Sequence, residues 1–227
     1  MFRTLAASRL LHRSSIAPRV RSRAMSGFSS LTPRSLDDIV KRDLLVEESV
    51  DRLKQIWLQY HDSSNSAVGF TIDASAQSLI TERMKECPMC IWPVFKSGDD
   101  HFILLSQLQD TFVLCTYLEE FKRDPATASP WLTLAVYDEF CQDKEVALVR
   151  GDFTPNLTKA EGDLTSRLIL HAYHDDAAFE YIRTFSQNPA EFDYAKYLEF
   201  FKGVHGDLVE DAEARAAAAL AGTSSVS

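Results

Sequence analysis

DASAQSLITERMKE, residues 73–86, runs straight into CPMCIWPVF, residues 87–95. The hydrophobic period changes at that join. In the first stretch Ile80 and Met84 fall one turn apart and, with Leu79, line the inward side of a helix. In the second, Met89–Phe95 is dense in aliphatic and aromatic side chains that suit a half-buried pleated surface. Four further stretches share that character: His101–Gln107, Thr111–Leu118, Trp131–Tyr137 and Val146–Asp152. Ser97-Gly98-Asp99-Asp100 supplies hairpin turn chemistry between the first two. A longer break, Asp124–Pro130, separates the third from the fourth. Strands joined by short links pair antiparallel, because parallel neighbours need long crossovers.

Helical patterns flank the strands. Ser35-Leu36-Asp37-Asp38 places a capping serine before an acidic first turn. In Glu47–His61 the apolar residues Val50, Leu53, Trp57 and Tyr60 are three, four and three apart, and Ile56 widens the stripe. Asp62–Ser66 reads as a linker. Downstream, Thr158 and Glu161 have capping-box spacing and open a helix to about Tyr173. Asp176–Gln187 and Ala190–Lys202 follow, the latter opened by Pro189. From Gly203 the chain turns alanine-rich and reads as a frayed helix followed by a disordered tail. Helices, then strands, then helices define an α+β class: a mostly antiparallel sheet of about five or more strands between N- and C-terminal helices. The expected division is a leader at 1–25, a helical extension at 26–62, an α+β domain at 63–203 and a tail at 204–227.

Charge is divided unevenly. The first 36 residues hold seven arginines and no acid, interleaved with serines and scattered leucines. That composition reads as a mitochondrial transit peptide. A basic arm for nucleic acid is the other reading of the same residues. The whole chain has 24 basic and 33 acidic residues; without those seven arginines 17 basic residues remain against 33, near −16. A body so acidic repels phosphate backbones and anionic lipid, which disfavours nucleic acid and membrane surfaces. No run of about 18 apolar residues is present to span a bilayer.

Few motifs carry chemistry. Cys87-Pro88-Met89-Cys90 has the form of a thiol–disulfide site, but such sites follow a strand and open a helix. Here the order is reversed, so no helix N-terminus faces Cys87. Cys115 and Cys141 stand alone and supply no second pair for zinc. His171 and His174 have ligand spacing without an H-E-x-x-H frame. The eight glycines form neither a phosphate loop nor a dinucleotide fingerprint, and no G-x-S-x-G elbow occurs. A core large enough to fold without a recognisable reaction centre points to a binding protein. The readings from other classes are a matrix thiol oxidoreductase using Cys87 and Cys90, and a small-molecule-binding domain.

Several segments in order resemble one family. They are Ser35–Leu45, Ile56-Trp57 with Tyr60-His61, and Cys87-Pro88 opening a strand. Leu132-Thr133-Leu134 leads to Tyr137, and Lys144–Asp152 follows. Leu157-Thr158 with Glu161 opens a helix ending in His171-Ala172-Tyr173, and Phe185–Phe192 comes later. Over about residues 35–201 the chain is similar to the assembly chaperones of the F₁ sector of mitochondrial ATP synthase that hold free β subunits. The resemblance implies a non-enzymatic matrix protein, monomeric when free, with no cofactor and no metal. It would bind the unassembled β subunit on a face later covered by α, and be displaced as the hexamer forms. The stripe Val50, Leu53, Trp57 and Tyr60 either docks such a client in a groove or packs onto the chain's own sheet. An edge strand such as Met89–Phe95 is another place for the client to pair.

Overall fold

The computed structural model describes residues 33–96 and 100–223, with side chains as far as 217. The expected leader and residues 97–99 of the hairpin turn lie outside the described residues. The order is a 3₁₀ turn (Leu36–Asp38), α1 (Arg42–Val46), α2 (Val50–Asp62), β1 (Ala67–Asp73), α3 (Ala74–Glu86), β2 (Met89–Phe95), β3 (His101–Gln109) and β4 (Phe112–Tyr117). Then come α4 (Leu118–Arg123), β5 (Pro130–Tyr137), α5 (Cys141–Lys144), β6 (Val146–Phe153), α6 (Lys159–His174), α7 (Asp176–Gln187) and α8 (Tyr194–Thr223).

The six strands form one antiparallel sheet in the order β1-β6-β5-β4-β3-β2. β2 to β6 are a meander built from the five expected strands. β1 is an addition that the sequence reading did not assign. It pairs with β6, so α3 carries the chain from one edge of the sheet to the other. The β3–β4 link is tight, and Asp110 takes a positive φ of 53° there, a conformation that Asp tolerates better than most residues.

Period-two alternation sends side chains to two separately buried faces. On one face Val68, Phe70, Trp92, Leu104, Cys115, Leu132 and Phe153 pack beneath Ile80 and Met84 of α3, Ile169 and Tyr173 of α6, Phe179 of α7, and Tyr197 and Phe201 of α8. On the other, Ala135, Tyr137, Val146 and Leu148 of β5–β6 are covered by Leu36, Leu45, Leu53 and Trp57. The N-terminal helices thus form a layer on the opposite side of the sheet from the C-terminal ones.

Local chemistry explains the ends. Thr158 Oγ1 accepts from the Glu161 N–H and the Glu161 carboxylate accepts from the Thr158 N–H, completing the capping box. α8 begins four residues after Ala190, and its opener is Asp193, whose carboxylate accepts from the N–H groups of Ala195 and Lys196. It continues as one helix past Lys202 to Thr223, through residues read as a frayed and then disordered tail. Alanine is the best helix former, which offsets the roughly 1 kcal/mol cost of Gly203 and of Gly206. The segment from Ser35 is a 3₁₀ turn and a short helix rather than one helix. Ser35 Oγ bonds the Asp38 carboxylate instead of a backbone N–H.

Candidate functional site

The apolar stripe of α2 divides between inside and outside. Leu53 and Trp57 have no exposed surface. Val50 and Ile56 are half-buried against the same cluster. Tyr60 is 43% exposed, and Leu58, two residues earlier on α2, is also exposed. Of the four stripe residues, Leu53 and Trp57 pack onto the chain's own sheet and present nothing to a partner in this conformation, whereas Tyr60 does. Leu44 at 63% and Val46 at 50%, both on α1, are further exposed large apolar side chains. The stripe signal missed them, because a five-residue helix is too short to show a period.

Polar contacts fasten α2. Ser49 Oγ caps it by accepting from the Arg52 N–H at 3.3 Å. Trp57 Nε1 donates to the Val149 carbonyl at 3.1 Å. Arg150 forms a bidentate pair with Asp152, at 2.8 and 2.6 Å, and its third nitrogen lies 3.0 Å from His61 Nε2. A guanidinium only donates, so His61 Nε2 accepts and Nδ1 carries the proton. That proton goes to the Trp57 carbonyl at 2.8 Å. Burial pushes the His61 pKa below its ordinary value. The Arg150 charge adds to the shift, and the Trp57 hydrogen bond opposes it. Burial alone would lower Arg150, but its bond and charge pairing with Asp152 raise it instead. A Cβ on Gly69 would meet the His61 ring at 2.5 Å, so only glycine lets α2 lie this close to β1. At the far end, Lys159 Nζ donates to the carbonyls of His61 (3.2 Å) and Asp62 (2.7 Å), closing the helix C-terminus.

The other sequence candidates are placed differently. Cys87 and Cys90 are both fully buried, and burial raises both thiol pKa values. Cys87 lies at the C-terminal end of α3, where the helix dipole disfavours a thiolate. His171 and His174 occupy the last turn of α6, and among the described residues no three His, Cys, Asp or Glu gather as metal ligands. A cavity of about 530 Å³ opens between residues 33–36, α3 and the β3–β4 turn. Leu36, Met84 and Tyr137 are in its wall, and the Tyr137 hydroxyl is spent on the Arg34 carbonyl. No described helix is long and apolar enough to cross a membrane.

The edges of the sheet also differ. The Leu108 N–H bonds the Pro88 carbonyl, and the Lys96 N–H bonds the Asp100 carbonyl. Even-numbered residues of β2 therefore bond to β3 and odd-numbered ones face outward. Pro93 is odd, so it offers no N–H, and the Tyr197 hydroxyl takes the outward carbonyl of Ile91. β2 is a blocked edge, unsuited to the client pairing considered for Met89–Phe95.

Comparison with known proteins places the chain in a family. A human protein named ATP synthase mitochondrial F1 complex assembly factor 1 is 26% identical over 170 residues, covering 73% of this chain and 51% of its own. The chain thus spans about half the length of that curated relative. The sequence model of the ATP11 protein family matches residues 12–198. The chain belongs to the ATP11 protein family.

Proposed function

We propose that this chain is a chaperone for assembly of the mitochondrial F₁-ATPase. In this reading it works in the matrix as a single copy, without catalysis. It holds the unassembled β subunit and yields it when α arrives. The observation that carries the reading is the family match across residues 12–198, with the relative's printed role as an F₁ assembly factor. The physical form is consistent with such work. An isolated subunit exposes an apolar face meant for its neighbour, and such faces drive aggregation. Leu44, Val46, Leu58 and Tyr60 offer apolar surface on helices whose buried sides are anchored to the sheet. Holding with release calls for modest affinity, about micromolar, or roughly −8 kcal/mol.

The test is recovery of partners from mitochondria on the tagged chain. The β subunit is expected as the main partner, with α absent from that complex. Reproducible recovery of other proteins without β would overturn the reading. Deletion of the gene should leave α and β as insoluble aggregates; normal soluble F₁ would count equally against it.

A further inference from the structure

We infer that the outer edge of β1 is a strand-addition site for an extended segment of the client β subunit; this rests on the client reading above. β1 has one neighbour, β6. The Phe153 N–H bonds the Ser66 carbonyl, and the Ala74 N–H bonds the Glu145 carbonyl, each at 3.0 Å. Even-numbered residues of β1 therefore bond inward, and Gly69 and Thr71 turn their N–H and C=O groups outward. Both residues are partly exposed. Among the described residues, no hydrogen bond reaches these outward groups.

Edge strands are ordinarily guarded by proline, lysine, a bulge or a covering side chain. β2 carries two such guards, Pro93 and the Tyr197 hydroxyl. β1 is guarded only at its ends, where Ala67 is buried and Lys54 of α2 pairs with Asp73; its sequence AVGFTID has neither proline nor lysine, and its register with β6 is unbroken from Ala67 to Asp73. One sheet thus has a closed edge and an edge open at Gly69 and Thr71.

The chemistry of the open edge selects its occupant. Donor and acceptor alternate at two-residue spacing, which an extended backbone matches and a helix, already satisfied internally, does not. A second copy of this chain is disfavoured by charge. The residues beyond 36 are near −16, so pairing two copies edge to edge sets like charges side by side. An added strand would lie beside Phe70, which is buried with the Arg167 guanidinium 4.5 Å from its ring.

The experiment uses the full chain and β subunit prepared without α. Thr71→Pro removes one outward N–H and leaves the β1–β6 bonds in place, as Pro93 does at the other edge. Thr71→Val keeps that N–H. Thr71→Pro should bind β about tenfold more weakly and Thr71→Val as the parent does. In the parent complex the Gly69 and Thr71 amides should exchange hydrogen at least about tenfold more slowly than in the free chain. If Thr71→Pro does not fold, the parent exchange measurement decides alone. A complex that forms with both amides unprotected overturns the edge site and leaves the client reading standing. Failure of the parent to bind β sinks both. Protection of these amides in a β-free dimer shows a second copy to be the occupant and also overturns the inference.

Discussion

The two faces of this sheet are buried by different means. Beneath α6, α7 and α8, large rings meet one another: Trp92 touches Tyr173 and Phe201, Tyr173 touches Phe179, and Tyr197 touches Phe201. Beneath α2 the apolar cluster is smaller, and directional contacts through Trp57, His61 and Arg150 hold it. Apolar burial is non-directional, so its loss is graded. A directional fastening fails when one partner changes. The other face has directional bonds too, from the Tyr173 and Tyr197 hydroxyls to the Cys87 and Ile91 carbonyls. Its larger apolar cluster leaves the α1–α2 face the one expected to open first.

The largest expected effect is Trp57→Ala, which should cost about 3–5 kcal/mol. Hydrogen exchange should show α2 losing protection while the β3–β5 amides keep theirs. Uniform loss across both faces would erase the distinction. A finer contrast compares the two tryptophans. Trp92 Nε1 has no hydrogen-bond partner among the described residues, whereas Trp57 Nε1 bonds the Val149 carbonyl. Denaturant titration should find Trp57→Phe more destabilising than Trp92→Phe by about 1 kcal/mol.

Acid should weaken the α2 face through His61. The pKa of His61 in the folded chain lies below its ordinary value of 6.5. Between those two values the unfolded chain holds more protons, so stability is full above about 6.5 and falls as pH drops through the window. His61→Gln should flatten that slope in urea titrations run across the range. The smallest effect on stability belongs to Leu58→Ser and Tyr60→Ser, each within about 0.5 kcal/mol because the positions are exposed. The same variants should weaken client binding; unchanged affinity would remove α2 from the contact surface.

Much of this architecture is legible in the residues. β2 and α7 occupy the spans their patterns predict, and the Thr158 capping box forms in full. Local periodicity and capping are properties of neighbours in sequence, so sequence shows them. β1 goes unassigned in the sequence because Gly69 interrupts the run Val68, Phe70 and Ile72 and polar residues lead into it. That glycine answers to His61 of α2, a contact no local pattern encodes. The extent of α8 was missed because Gly203 and Gly206 looked like a stop, where the alanines beyond sustain the helix. The stripe on α2 was visible as a stripe, but its period could not say whether Leu53 and Trp57 face a partner or their own sheet. The exposed α1 residues and the open β1 edge depend on what the folded chain leaves uncovered, which only tertiary structure reveals.

The most direct measurement is light scattering of β subunit diluted from denaturant without α or nucleotide. An equimolar amount of the chain should suppress aggregation, and later addition of α should release β into a soluble α/β complex. Aggregation at the same rate with and without the chain would contradict the account.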